Sequence, residues 1–221
     1  MSEVTSGLRA ILSLPVFYDF VQNALGAGHY RAEIARRYVG SGASAKLRVL
    51  DVGCGTARIL DHLPDCTYIG FDYSERYIAA ARQRYGDRGT FMLAEATQAP
   101  LEQWHGDFDC LIMLGLLHHL DDDEAVKLFR TAGSTLAPGG RIISADPTIC
   151  ADTHPVGRYL AERDRGRNVR SPEGYQALAR RAFEGVTLHL RHDLLRIPYS
   201  HAILECSRPT AHPGSNGSAR Q

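Results

Sequence analysis

The chain has no surplus of either charge: Lys+Arg and Asp+Glu both count 25 in 221 residues. That balance removes the long-range field that draws a basic protein onto nucleic acid or an anionic bilayer, though a local basic cluster survives the average. No apolar run approaches the ~18 residues that a membrane-crossing helix needs. Residues 1–5 lack the basic and apolar regions of a secretory leader. Cysteine is sparse and odd in number (Cys54, Cys66, Cys110, Cys150 and Cys206), with no Cys-x-x-Cys pair. Such a set suits buried thiols in a reducing compartment better than disulfides or zinc. The expectations are a cytoplasmic chain with neither nucleic acid nor membrane as partner. There is no internal repeat, and the length suits one domain with an ample core.

What is present is organised around residues 49–60. An apolar run over residues 47–52 meets Gly53 and Gly55, and the spacing of Ile59, Leu60 and Leu63 predicts a helix after the turn. Strand, glycine turn and helix are the parts of a nucleotide-type site, where glycines admit close backbone approach and a helix N-terminus offers N–H groups to an anion. The dinucleotide fingerprint wants glycine at its first, third and sixth places. Those places hold Gly53, Gly55 and Arg58. A long cationic side chain fits badly where helix and strand must touch, so a dinucleotide-dependent oxidoreductase is the weaker reading.

Further along, residues 67–72 read as a second strand ending in Asp72. The interval of about 20 residues from Asp51 is the one at which a βαβ unit delivers a carboxylate to a ribose. Tyr73 follows and can lie on an adenine face. A helix is predicted over residues 75–85, closed by Gly86, then a third strand over 90–94 leading into Glu95 and Ala96. Residues 108–114 are almost wholly apolar, as in a strand buried on both faces, and run into His118 and His119. A helix from the acidic start at Asp121 ends at the Pro138-Gly139-Gly140 stop, and a fifth strand over 141–147 ends in Asp146. Strands alternating with helices predict a parallel α/β sheet.

The segment Val49-Leu50-Asp51-Val52-Gly53-Cys54-Gly55, with Ala57 at the place of a third glycine, resembles motif I of class I S-adenosylmethionine (SAM) dependent methyltransferases. Leu136-Ala137-Pro138-Gly139-Gly140-Arg141, Phe108-Asp109 and the His118-His119 pair extend the resemblance over residues 47–147. It implies a Rossmann-like fold with a mostly parallel seven-stranded sheet flanked by helices. It also implies SAM as cofactor and methyl transfer to a small-molecule acceptor. The methionine end would sit on Asp51, Gly53, Cys54 and Gly55, with the Leu114 carbonyl receiving its amino group. Asp72 would take the ribose, Tyr73 the adenine face, and Glu95 with Ala96 the adenine edge.

Around that unit, residues 1–46 are expected to form a helical flap and link, with helix over 8–38 broken near Gly26 and Gly28. Tyr18 and Gln22 are candidate contacts there. The methyltransferase unit spans 47–208, with an insertion at 148–184 and closing strands near 186–192 and 201–206. A helix starts at Ser171 and Pro172. Residues 209–221 are expected to be disordered.

Methyl transfer is an in-line displacement that needs alignment, with a base only where the acceptor must lose a proton. His118 or His119 is the candidate base. Asp121, Asp122 and Asp123 suit a helix start better than a metal, and no metal is expected. Asp146 is a candidate acceptor contact. Arg158, Arg163, Arg165, Arg167 and Arg170 make a local cationic excess that can clamp a carboxylate or phosphate. Arg165 and Arg170 are therefore candidate substrate residues, with O- or N-methylation of an acidic molecule as the expectation. A non-catalytic SAM-binding module is the other alternative.

Overall fold

The computed structural model describes residues 25–40, 46–163 and 168–210. Its strands are β1 (Leu47–Val52), β2 (Cys66–Asp72), β3 (Thr90–Leu93), β4 (Phe108–Leu114), β5 (Leu136–Pro147), β6 (Phe183–Arg191) and β7 (His201–Pro209). They form one seven-stranded sheet in the order β3-β2-β1-β4-β5-β7-β6. The first five pair in parallel and β7 runs antiparallel to both β5 and β6. This is the mostly parallel, seven-stranded Rossmann-like sheet that the methyltransferase resemblance implies, and its parallel part is the α/β sheet expected from the alternation of strands and helices.

Both faces of the sheet are covered, which is why β4 reads as an unbroken apolar run. Leu111 and Met113 join Leu50, Val52, Phe129 and Leu178 under α3 (Asp122–Ser134) and α5 (Pro172–Arg180). Their neighbours Cys110 and Ile112 join Val49, Tyr68, Ile34 and Ile78 under α1 (Ala27–Ile34) and α2 (Glu75–Tyr85). The capping chemistry is that predicted. Ser171 accepts from the Gly174 N–H with Pro172 in the first turn. The Asp121 carboxylate accepts from the Glu124 N–H at 2.9 Å while Glu124 accepts from the Asp121 N–H at 3.0 Å. The acidic cluster is thus a helix start.

Four features differ from the sequence reading. The helix after the glycine turn is a single 3-10 turn, Arg58–Asp61. Pro64 lacks an N–H and disfavours helical backbone at Leu63, so the turn cannot grow before β2 begins. Residues 137–140 are not a loop but lie inside β5, where the register to β4 shifts between Phe108 and Cys110. Gly139 there has φ +81°, and a Cβ on Gly140 would stand 2.7 Å from the Phe108 carbonyl oxygen. The insertion contains a helix the sequence reading did not place, α4 (Pro155–Glu162). Its Gly157 lies against Pro198 so closely that a Cβ would collide with the Pro198 carbonyl. Finally, β7 continues to Pro209 and the Thr210 N–H donates to the Ala182 carbonyl at 2.9 Å, so ordered structure passes residue 209.

Of the N-terminal flap, α1 begins after Gly26 in a left-handed conformation (φ +96°) and ends in a wide turn over Ala35–Val39. The Arg141 guanidinium donates to the carbonyls of Tyr38 and Val39, which fastens this turn to β5. Tyr18 and Gln22 lie outside the described residues. Among the described residues no helix is long and apolar enough to cross a membrane.

Candidate active site

In an open parallel sheet, ligands bind beyond the carboxyl ends of the strands where the strand order reverses. Here that point lies between β1 and β4, neighbours in the sheet that both follow other connections. The glycine turn leaves β1 at this point. Gly53 and Gly55 have φ +79° and +56°, and Ala57, at the third glycine's place, also adopts a left-handed conformation at φ +55°. The turn is tied from within. The N–H groups of Gly53 and Cys54 both donate to the Phe71 carbonyl, at 2.8 and 2.7 Å, and that of Ala57 donates to the Cys54 carbonyl at 2.9 Å. The Gly55 N–H donates to Asp72 Oδ2 at 2.9 Å. These donors are engaged, and no α-helix starts here to supply others. The anion-binding role expected of the turn does not match this geometry.

Asp72 thus has a second role beyond the ribose contact expected of it. Its Oδ1 accepts from the Ser74 N–H at 2.8 Å, so the carboxylate bridges the glycine turn and the start of α2. Burial raises its carboxyl above the usual range, against the pull of the two N–H donors. Each oxygen retains further acceptor capacity. Asp51 is fully buried on the α1/α2 face and accepts from the Tyr68 hydroxyl at 2.6 Å. Burial pushes its carboxyl up to about 7; the Tyr68 bond acts in the opposite direction. The Cys54 thiol is pushed far up by burial, with Asp51 and Asp72 adding to the effect.

The residues assigned to the adenosine side stand at the same edge. Asp72 pairs with Leu93 across β2 and β3, and Tyr73 beyond it is 52% exposed. Glu95 and Ala96 follow β3; the exposed Glu95 carboxylate accepts from Gln98 Nε2 at 3.2 Å. Leu114 ends β4 opposite Ala145.

The loop after β4 closes on this edge. Leu116 packs on Gly53, its Cδ1 3.3 Å from where a Cβ would stand. A 3-10 turn, Leu117–His119, then carries both histidines. His118 is 5% exposed, and its Nδ1 lies 2.9 Å from Asp146 Oδ1, which also accepts the His118 backbone N–H at 3.2 Å. The His119 ring lies against it, tilted by 38° with the ring centroids 4.1 Å apart. The structure therefore places Asp146, 1% exposed, on the base candidate and not on an open acceptor surface. With Nδ1 facing a carboxylate, the ring's remaining lone pair is at Nε2.

The arginine run does not form a cationic lining among the described residues. Arg170 is saturated: Nε and Nη2 donate to Asp122 Oδ1, Nη1 to the carbonyls of Leu117 and Asn168, and Nη2 to that of Leu120. A guanidinium with its donors engaged inside the fold cannot also grip an acceptor, which corrects its expected role. Arg165 and Arg167 lie outside the described residues. Arg158 donates to the Cys150 carbonyl and Arg163 lies 3.9 Å over the Tyr159 ring. Among the described residues no three His, Cys, Asp or Glu side chains converge as a metal site.

Comparison with known proteins agrees with this geometry. Residues 49–140 match the family described as Methyltransferase domain. Over 140 residues the chain is 31% identical to a ubiquinone/menaquinone biosynthesis C-methyltransferase of Ectopseudomonas oleovorans, covering 58% of this chain and 79% of that protein. It is 29% identical over 151 residues to a methyltransferase of Streptomyces halstedii, covering 63% of this chain and 53% of the relative. The chain spans only 24% and 54% of the length of two other relatives, from a Synechococcus strain and from Pseudomonas putida. Among solved structures, a SAM-dependent methyltransferase of Leishmania major superposes with a TM-score of 0.69 at 18% identity, over 88% of this chain and 79% of that one. The [4+2]-cyclase SpnF superposes at 0.64 and 18%, over 84% of this chain and 82% of that one. Likeness at such identities concerns the fold alone. The chain belongs to the SAM-dependent methyltransferases, a family whose cofactor is S-adenosylmethionine.

Proposed function

We propose that the chain transfers the methyl group of SAM to an O–H or N–H group of a small molecule, with His118 as the base and Asp146 as its partner. The observation that carries the cofactor half is the internal bonding of the glycine turn. A dinucleotide needs backbone N–H groups for its pyrophosphate, and those of Gly53, Cys54, Gly55 and Ala57 are already engaged. SAM has no phosphate. It asks instead for an acid at the end of β2, a close-approaching turn and an exposed aromatic, which are Asp72, Gly53 with Gly55, and Tyr73.

When bound, SAM supplies an electrophilic methyl group on its sulfonium. His118 Nε2 takes the acceptor's proton as the acceptor atom bonds to the methyl carbon and the carbon–sulfur bond breaks towards sulfur. Asp146 holds the ring in the tautomer this requires and stabilises the imidazolium that results. With Arg170 engaged in the fold, we define the acceptor by its ionisable proton and not by negative charge. The five cysteines are free thiols, which supports a cytoplasmic setting.

The test is a screen of small metabolites for release of S-adenosylhomocysteine (SAH), with calorimetry of SAH binding alongside. Turnover on an O–H or N–H acceptor that fails in His118→Gln supports the reading. Tight SAH binding with no turnover on any acceptor favours a non-catalytic SAM-binding module.

A further inference from the structure

Within the Leu117–His119 turn the Leu120 N–H reaches the Leu117 carbonyl at 3.2 Å, and the far end of the insertion supplies further donors to this segment. Arg170 Nη1 donates to the Leu117 carbonyl at 2.9 Å and Nη2 to the Leu120 carbonyl at 2.8 Å. The Asn168 N–H donates to the carbonyl of His118 itself at 3.0 Å. The residues on both sides of the histidine pair are therefore held by one planar guanidinium. Its orientation is fixed in turn by Asp122, at 2.9 and 2.8 Å. At its backbone Arg170 is bound to the residue that follows the strand carrying Asp146: Thr148 forms a bridge with Arg170, and the Thr148 hydroxyl donates to the Arg170 carbonyl at 2.8 Å. Asp146 stands two residues before Thr148. A closed ring of contacts results, from Asp146 through Thr148, Arg170 and Leu117 to His118 and back to Asp146 at 2.9 Å.

We infer that Arg170 is a positioning residue for the His118–Asp146 pair, fixing the turn against β5 so that the imidazole keeps its Nδ1 on Asp146. Lysine cannot do this, because a point donor on a flexible stem cannot hold two carbonyls and a carboxylate in one plane. The inference rests on His118 being the working group of the site, but its test does not require turnover.

Nitrogen-15 spectra of labelled protein report the imidazole tautomer directly. Wild type is expected to show His118 with its proton on Nδ1. Arg170→Met and Arg170→Lys are both expected to lose that signature, leaving the mixture of a free imidazole, while SAH affinity by calorimetry is unchanged. Retention of the Nδ1–H signature in a folded Arg170→Met protein overturns the inference. So does full rescue by Arg170→Lys, which would reduce the role to charge. If Arg170→Met does not fold, Thr148→Val, which keeps the side-chain volume and deletes one bond of the ring, decides the matter: wild-type nitrogen shifts there overturn it. Should His118→Gln prove fully active, the proposed chemistry fails while the tautomer result still stands or falls by itself.

Discussion

Asp146 Oδ1 receives both the ring Nδ1–H and the backbone N–H of His118, at 2.9 and 3.2 Å, while its Oδ2 is buried with no hydrogen-bond partner among the described residues. One carboxylate oxygen thus fixes both the position of the histidine's backbone and the orientation of its ring. An asparagine here can keep its carbonyl oxygen towards His118 and put its amide nitrogen where Oδ2 stands, which removes charge and little else. Asp146→Asn is therefore expected to lower the rate of methyl transfer to an O–H or N–H acceptor by about 10²–10⁴-fold, the usual worth of a general base. SAH affinity stays at its wild-type value. His118→Gln should cost a similar factor and the double variant no more than either, because the two act as a unit. Single-turnover rates check this, and additive losses would separate the residues.

The pH dependence of stability should carry a contribution from Asp51, beside that of the buried Asp72, whose carboxyl is also raised. Burial raises its folded-state pKa to about 7, above the ordinary carboxyl value of 3.8. The native state then binds the proton more tightly than the unfolded chain, so stability falls as pH rises between these values. The cofactor-free protein is expected to show a thermal midpoint that declines from about pH 4 to pH 7. In Asp51→Asn the slope should flatten. Melting curves across that range decide, and an unchanged slope in the variant would exclude Asp51 as a contributor.

Asp72→Ala should weaken the protein as well as its cofactor binding. Removal of the carboxylate strands the N–H groups of Gly55 and Ser74, which it now receives at 2.9 and 2.8 Å. A buried donor left without its acceptor costs about 1–3 kcal/mol. The expected result is a lowered thermal midpoint, faster amide exchange at Gly55, and a drop in SAH affinity on calorimetry of at least tenfold, or about 1.4 kcal/mol. Unchanged exchange at Gly55 would show that the turn holds itself.

Gly55 separates backbone strain from ligand space. A Cβ there would meet no protein atom within 4 Å, yet φ is +56°. Alanine in that left-handed region costs about 1–2 kcal/mol, which Ala57 two residues on already tolerates at φ +55°. Gly55→Ala should fold with a modestly lower midpoint and bind SAH more weakly; Gly55→Val should not bind it. Wild-type affinity in a folded Gly55→Val protein would remove the turn from the cofactor site.

The parallel sheet could be read from the chain alone because its causes are local. Apolar runs of strand length alternate with helical spacing, β4 is apolar on both faces, and Ser171 and Asp121 mark helix starts by their own hydrogen-bonding chemistry. The glycine turn and Asp72 were legible for the same reason, since the parallel pairing of two consecutive strands sets their interval. Tertiary structure decided whatever depended on partners distant in sequence. Residues 137–140 became part of a strand because Gly140 could approach the Phe108 carbonyl. Asp146 became the partner of His118, 28 residues away. Arg170 became a clamp on carbonyls 50 and 53 residues earlier. A charged side chain takes its role from whatever acceptor the fold brings within about 3 Å, and spacing along a chain does not record that.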